Sequence, residues 1–199
     1  MDDCRNKGHQ ENINHPAFKP ETSEKSTVEK LVVQAANGNE VAFGELYSLF
    51  VEKIYRYIFY HVKSKATAED ITGEVFLKAW RAIGSCRGKE NSFSSWLYRI
   101  AHNQLIDEIR KRQRRPSLEI ENIETIRDKT AGVEGYLEQQ ELLGVIDHLN
   151  SNQRQVIILK FIEGLDNREI AKIMGKNEGA IRALQMRALS ALRKELNKE

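Results

Sequence analysis

The sequence predicts an all-α protein made of two small helical domains joined by a flexible linker, the second containing a helix-turn-helix. Three observations predict it. Apolar residues recur at three- and four-residue steps through most of the chain, with no strand-like alternation to compete. An acidic stretch of weak periodicity, opening at Pro116 and containing Gly132, interrupts that pattern. Basic residues gather on both sides of it: six between Arg99 and Arg115 against two acids, and seven between Asp166 and Lys194 against three.

Residues 1–27 are polar, carry Pro16 and Pro20, and are expected to be a disordered tail. Helical patterning begins at Leu31, and Val41, Phe43, Leu46, Leu49, Phe50, Ile54, Tyr57, Ile58 and Val62 recur at three- and four-residue steps, as in a long helix with a buried stripe. Thr67 to Asp70 resembles a capping box opening a second helix through Ile83, with Ile71, Phe76, Leu77 and Trp80 facing the core. After a polar loop from Gly84 to Ser92, a third helix starts near Ser94 or Ser95. Trp96, Leu97, Ile100, Ala101, Leu105 and Ile109 form its apolar stripe, and Arg99, Asn103, Asp107 and Arg110 share another face. These helices define a first domain over 28–113, followed by an acidic linker over 114–135. The second domain, 136–199, reads as four shorter helices near 136–149, 152–163, 167–174 and 178–196, with Ser151 and Asp166 as caps.

Composition narrows the function classes. With 40% hydrophobic and 30% charged residues, the 199-residue chain has the balance of a soluble protein. The most apolar run, Val156 to Ile162, is broken by Lys160 and is far too short to span a bilayer. The opening Met1-Asp2-Asp3-Cys4 lacks the apolar core of a signal peptide, so a cytoplasmic location without membrane insertion is expected. Cys4 and Cys86 are too few for a disulfide framework. Cys4, His9 and His15 lack the ligand number and spacing of a zinc site, so neither metal nor cofactor is expected. No phosphate-binding glycine loop appears, and His61, His102 and His148 form no recognisable constellation, so the protein is not expected to be an enzyme.

A net charge of +2 says little, but its distribution points to nucleic acid. In the segment Asn167 to Ile181, Ala171 allows close helix approach, Gly175 supplies a positive φ at the turn, and Ile170, Met174, Ile181 and Leu184 supply apolar anchors. That is the pattern of a helix-turn-helix. Its second helix would enter the major groove by its amino-terminal end, making Asn177, Glu178, Arg182 and Gln185 candidate base or backbone contacts. Lys172, Lys176 and Arg187 are candidate phosphate contacts. For any one of these charges a solvated helix face is the competing reading.

Three stretches in order, Ala68 to Arg81, Phe93 to Asn103 and Leu149 to Leu196, resemble the extracytoplasmic-function (ECF) sigma factors of bacterial RNA polymerase. The resemblance covers about 28–196 and implies a region-two domain that binds core polymerase and opens the minus-ten element. It further implies a region-four domain that reads the minus-thirty-five element and binds the polymerase flap. On that basis Asp70, Glu74, Lys78 and Arg81, recurring at helical spacing, are assigned to polymerase binding. Arg99, Asn103, Asp107, Arg110, Lys111 and Arg112 are assigned to minus-ten DNA, with Trp96 placed in the core rather than on the bases. Lys176, Asn177, Glu178, Arg182, Gln185 and Arg187 are assigned to minus-thirty-five DNA. The acidic linker resembles the family's connector through the polymerase cleft, and an anti-sigma factor is an implied partner. Gly73 stands where the family often has Gln, and Ala183-Leu184-Gln185 replaces a frequent Ser-Arg-Leu. A helix-turn-helix repressor or activator is the alternative, and it leaves the first domain unexplained.

Overall fold

The structure is a computed structural model and describes residues 22–86, 92–114, 144 and 146–197. The acidic linker, the loop residues 87–91, most of the helix expected near 136–149 and the first 21 residues lie outside these. Among the described residues every regular element is helical.

Helix α1, Thr22–Ala36, starts earlier than the periodicity suggests and takes in residues 22–27. It buries Leu31, Val32 and Ala35. After a turn at Gly38 (φ 91°), Asn39 caps α2, Glu40–Val62, its side-chain oxygen accepting the Ala42 N–H at 3.1 Å. Leu46, Phe50, Ile54, Tyr57 and Ile58 form the buried stripe of α2, whereas Val41 and Leu49, expected on it, fall at its edges and are 73% and 50% exposed.

Only Lys63 and Ser64 separate α2 from α3, Lys65–Ala82. Ser64 therefore caps α3, accepting the Thr67 N–H at 3.3 Å, and the capping box expected at Thr67 to Asp70 lies inside the helix instead. The inward face of α3 is Ala68, Ile71, Thr72, Val75, Phe76 and Ala79. Leu77 is not part of it. Its neighbours one and two positions away fill the core side, leaving Leu77 56% exposed. Trp80 is half-buried and meets Phe43 edge-on at 4.8 Å.

A single 3-10 turn, Ile83–Cys86, follows α3, and α4 covers Phe93–Arg114. Ser92 Oγ accepts the Ser95 N–H at 3.2 Å, which sets the start of α4 one or two residues ahead of the expected Ser94 or Ser95. Phe93, Leu97, Tyr98, Ala101 and Leu105 are buried, and Trp96 packs half-buried against them with its ring 5.7 Å from Phe93.

In the second domain Gly144, Ile146 and Asp147 are helical, and α5 follows over Ser151–Ile157, continued by a π-helical turn over Ile158–Ile162. Asn150, not Ser151, is its cap. Asn150 and Gln153 exchange side-chain and backbone hydrogen bonds at 3.0 and 3.2 Å in a full capping box. Helix α6, Asn167–Met174, begins on the expected Asp166–Glu169 box and ends at Gly175 in the left-handed region (φ 62°). Helix α7, Glu178–Leu196, is the second helix of the helix-turn-helix. Ile170 and Ile181 are fully buried, Ala171 and Met174 nearly so, and Leu184 packs half-buried against them.

The two domains dock. One continuous apolar cluster runs from Leu31 through Leu97 and Leu105 to Val156, Ile170 and Ile181, and a smaller one joins Ile146, Leu149, Ile157 and Ala188. Helix α6 lies against α4, so the helix-turn-helix is held over the first domain.

Candidate nucleic-acid interface

On α7 the capping residue and the recognition residues overlap. Asn177 Oδ1 accepts the Ala180 N–H at 2.8 Å, so this side chain is committed to starting the helix that it was expected to help read DNA with. Glu178 and Arg182 are exposed and pair at 3.2 Å across one turn. Gln185 is half-buried and donates to Asn167 Oδ1 at 3.0 Å, tying α7 to the first turn of α6. Lys176 is exposed in the turn. Glu178, Arg182 and Gln185 therefore share one flank of α7. Arg187 is exposed but lies about 140° around the helix from Arg182, apart from the others. Leu184, where the family often has a basic residue, is half-buried and packs against the core cluster.

On α4, Arg99, Asn103, Asp107 and Arg110 recur at four, four and three residues and all are exposed on the side away from the buried stripe. Arg110 approaches Asp107 at 4.0 Å and Lys111 approaches Glu108 at 3.8 Å. Both pairs are local and their cations are well exposed, which leaves Arg110 and Lys111 available to phosphates. Arg112 lies on the last turns of α4, with its side chain outside the described residues, as is Arg115 of the basic cluster.

On α3, Asp70, Glu74, Lys78 and Arg81 are exposed along one face. Glu74 and Lys78 also bracket the buried amide of Gln104 on α4, which donates to the carboxylate and accepts from the ammonium. The face assigned to a protein partner is thus fastened to the helix assigned to DNA. Gly73 is exposed, and a Cβ there would meet nothing within 4 Å, so its loss of the family's glutamine is not explained by crowding.

The residues that sequence reasoning missed line the seam between the domains. Tyr98 donates its hydroxyl to the carboxylate of Glu163, whose side chain is 1% exposed, and Arg56 approaches the same carboxylate at 3.5 Å. Burial raises the Glu163 carboxyl, against the pull of Tyr98 and Arg56, and raises the Tyr98 hydroxyl well above its ordinary range. Gln155 donates to the Tyr57 hydroxyl at 2.9 Å and to His102 Nδ1. Ser92 donates to Glu169 at 2.8 Å, and Lys63 pairs with Asp147. His61 and His102, expected to be scattered, meet at this seam. Both are held well below the ordinary imidazole value, at about 4, chiefly by burial; Arg154 and His102 add to it for His61, against its backbone bond to Tyr57, and Lys176 adds to it for His102.

Two helical domains, one carrying a helix-turn-helix and the other a long helix with an exposed basic and polar face, define a bipartite nucleic-acid-binding protein. Residues 46–115 match the family Sigma-70 region 2 and residues 139–192 match Sigma-70, region 4. The chain is 39% identical over 176 residues to the ECF RNA polymerase sigma factor BldN of Streptomyces coelicolor, covering 85% of this chain and 66% of that protein. It is 30% identical over 189 residues to SigW of Bacillus subtilis (85% and 96%), and 31% identical over 182 residues to the sigma-E factor of Escherichia coli (85% and 94%). The chain belongs to the ECF RNA polymerase sigma factors. Its fold is shared with CnrH, solved with the cytosolic domain of CnrY, at a TM-score of 0.68 and 23% identity over 87% of this chain and 99% of that one. RpoE of Bartonella quintana, solved with the anti-sigma factor NepR, shares it at 0.66 and 22% over 78% and 96%. The region-two match accounts for the domain that a simple repressor leaves unexplained. No helix among the described residues is long and apolar enough to cross a membrane.

Proposed function

We propose that the chain acts in the cytoplasm as a promoter-specificity subunit, with 28–113 as the region-two domain, 114–135 as the connector and 136–199 as the region-four domain. The observation that carries the reading is the separation of three exposed faces on helices packed into one scaffold. The α3 face of Asp70, Glu74, Lys78 and Arg81 takes the core polymerase. Along α4, Arg99, Asn103, Asp107, Arg110, Lys111 and Arg112 take the opened minus-ten strand, by cationic contacts to phosphate and polar contacts to unpaired bases.

The amino-terminal end of α7 takes the minus-thirty-five duplex. Arg182 is its principal reader, freed from Glu178 when a base edge competes for the guanidinium. Asn177 and Gln185 set the position of that helix more than they read bases, and Lys176 and Arg187 hold phosphates. An anti-sigma factor, the kind of protein with which RpoE of Bartonella quintana was solved, is the regulatory partner.

Substituting Arg182→Ala is expected to weaken binding to the upstream promoter element by about 10-fold, the loss of one good base contact. Binding to sigma-free core polymerase stays unchanged. Fluorescence anisotropy with labelled promoter duplex and with labelled core reads the two separately, and equal loss of both contradicts the assignment.

A further inference from the structure

We propose that the docked arrangement of the two domains is an acid-sensitive latch, in which protonation of His61 and His102 releases the helix-turn-helix domain from α2 and α4. The geometry requires both rings to be neutral. His102 Nδ1 faces the side-chain amide of Gln155, which gives one hydrogen to this nitrogen and the other to the Tyr57 hydroxyl at 2.9 Å. A proton on Nδ1 would set donor against donor and break the contact from α5 to α4. His61 Nδ1 donates to its own helix at Tyr57 O (2.8 Å), and its Nε2 is buried with no hydrogen-bond partner among the described residues. A proton there would be a buried, unpaired charge.

The charged surroundings reinforce this. Facing His61 are Arg154 of α5 and His102 of α4, with the Tyr57 ring 4.9 Å away on its own helix. Arg154 is itself anchored to Asp147, at 3.5 Å to the carboxylate and 3.1 Å to the carbonyl, and Asp147 also takes Lys63. Facing His102 are Gln155 of α5, His61 and Tyr57 of α2, and Lys176 from the turn between α6 and α7. The full charges brought up to the two rings by α5 and by the α6–α7 turn are therefore cationic.

The direction follows from linkage. Both imidazoles are lowered to about 4 in the docked state and return to the ordinary value when exposed, so the docked state binds fewer protons. Its advantage is complete above the ordinary imidazole value and is lost as the pH falls toward about 4. Between about pH 7.5 and about pH 5.5 the docked-to-undocked ratio falls about 10-fold for each histidine and about 100-fold for the pair. Glu163 works in the opposite sense, because burial raises its carboxyl and the docked state then holds that proton more tightly. Glu163→Gln removes this opposition.

Small-angle X-ray scattering of the full chain at the two pH values tests the latch, with far-UV circular dichroism on the same samples. The radius of gyration is expected to rise at the lower pH while the helical signal holds. In His102→Gln the rise is smaller, and in the His61→Phe, His102→Gln double variant it is absent; Glu163→Gln retains or enlarges it. An unchanged radius in the wild-type chain overturns the proposal, as do an expansion accompanied by loss of helix and an equal expansion in the double variant. None of these readouts involves polymerase or promoter, so the result stands apart from the assignment of DNA and polymerase contacts.

Discussion

Alanine in place of Ile181 is expected to cost about 2–5 kcal/mol, the usual penalty for emptying a fully packed aliphatic site. Ile181 is wholly buried on the inward side of α7, in the cluster that contains Ile170 and Met174 of α6. The two helices meet at a turn of two residues, Lys176 and Asn177, after Gly175, so little backbone can shift to fill the space. A loss of that size is a large part of the roughly 5–15 kcal/mol that holds a domain folded. Urea unfolding followed by circular dichroism should therefore show a markedly lower midpoint, with promoter-duplex binding falling alongside it. A change below about 0.5 kcal/mol, the size of an ordinary surface substitution, would mean that α6 and α7 are not packed through this residue.

Tyr57→Ala should be of similar size, about 3–5 kcal/mol, because it removes a whole buried aromatic side chain. Tyr57 lies at the centre of the seam. Its ring stands edge-on to Tyr98 at 5.4 Å, its hydroxyl takes the Gln155 amide, and no part of it is exposed. Tyr57→Phe keeps the ring and deletes one acceptor, leaving part of the Gln155 amide unpaired at a cost of about 1–3 kcal/mol. The pair of variants separates packing from the cross-domain hydrogen bond in the same unfolding measurement. Wild-type stability in the phenylalanine variant would show that the bond to Gln155 does not hold the domains together.

What the sequence made legible was local. The 3.6-residue rhythm of α2 and α4 named most of their buried stripes, though it also took in the exposed Val41 and Leu49 of α2, and Asp166, Glu169 and Gly175 fixed the boundaries of α6 because a capping box and a left-handed turn are each chemistry within a few residues. Errors of one to three residues arose at Ser64 and Asn150, where several good capping residues stand side by side and only the approach angle of the preceding chain selects one. Leu77 was misplaced because an apolar residue beside a stripe looks like a member of it.

The candidate faces on α3, α4 and α7 were legible by the same helical spacing, but their internal ties were not. Gln104 between Glu74 and Lys78, and Gln185 on Asn167, pair residues from different helices. The seam was hidden most completely. Its bonds join Tyr57 to Gln155 across 98 positions, Tyr98 to Glu163 across 65 and His102 to Gln155 across 53, and no local pattern announces a partner so distant. Glu163 reads as an ordinary helix-end acid until the fold buries it against Tyr98.

The most direct test of the sigma-factor assignment is reconstitution: sigma-free bacterial core polymerase, this chain, and a library of genomic fragments from the source organism, with transcript starts mapped by sequencing. Starts are predicted to appear only when the chain is present, each downstream of the same pair of upstream elements at fixed spacing. Failure of the chain to bind core polymerase together with no promoter-specific start anywhere in the library would contradict the account.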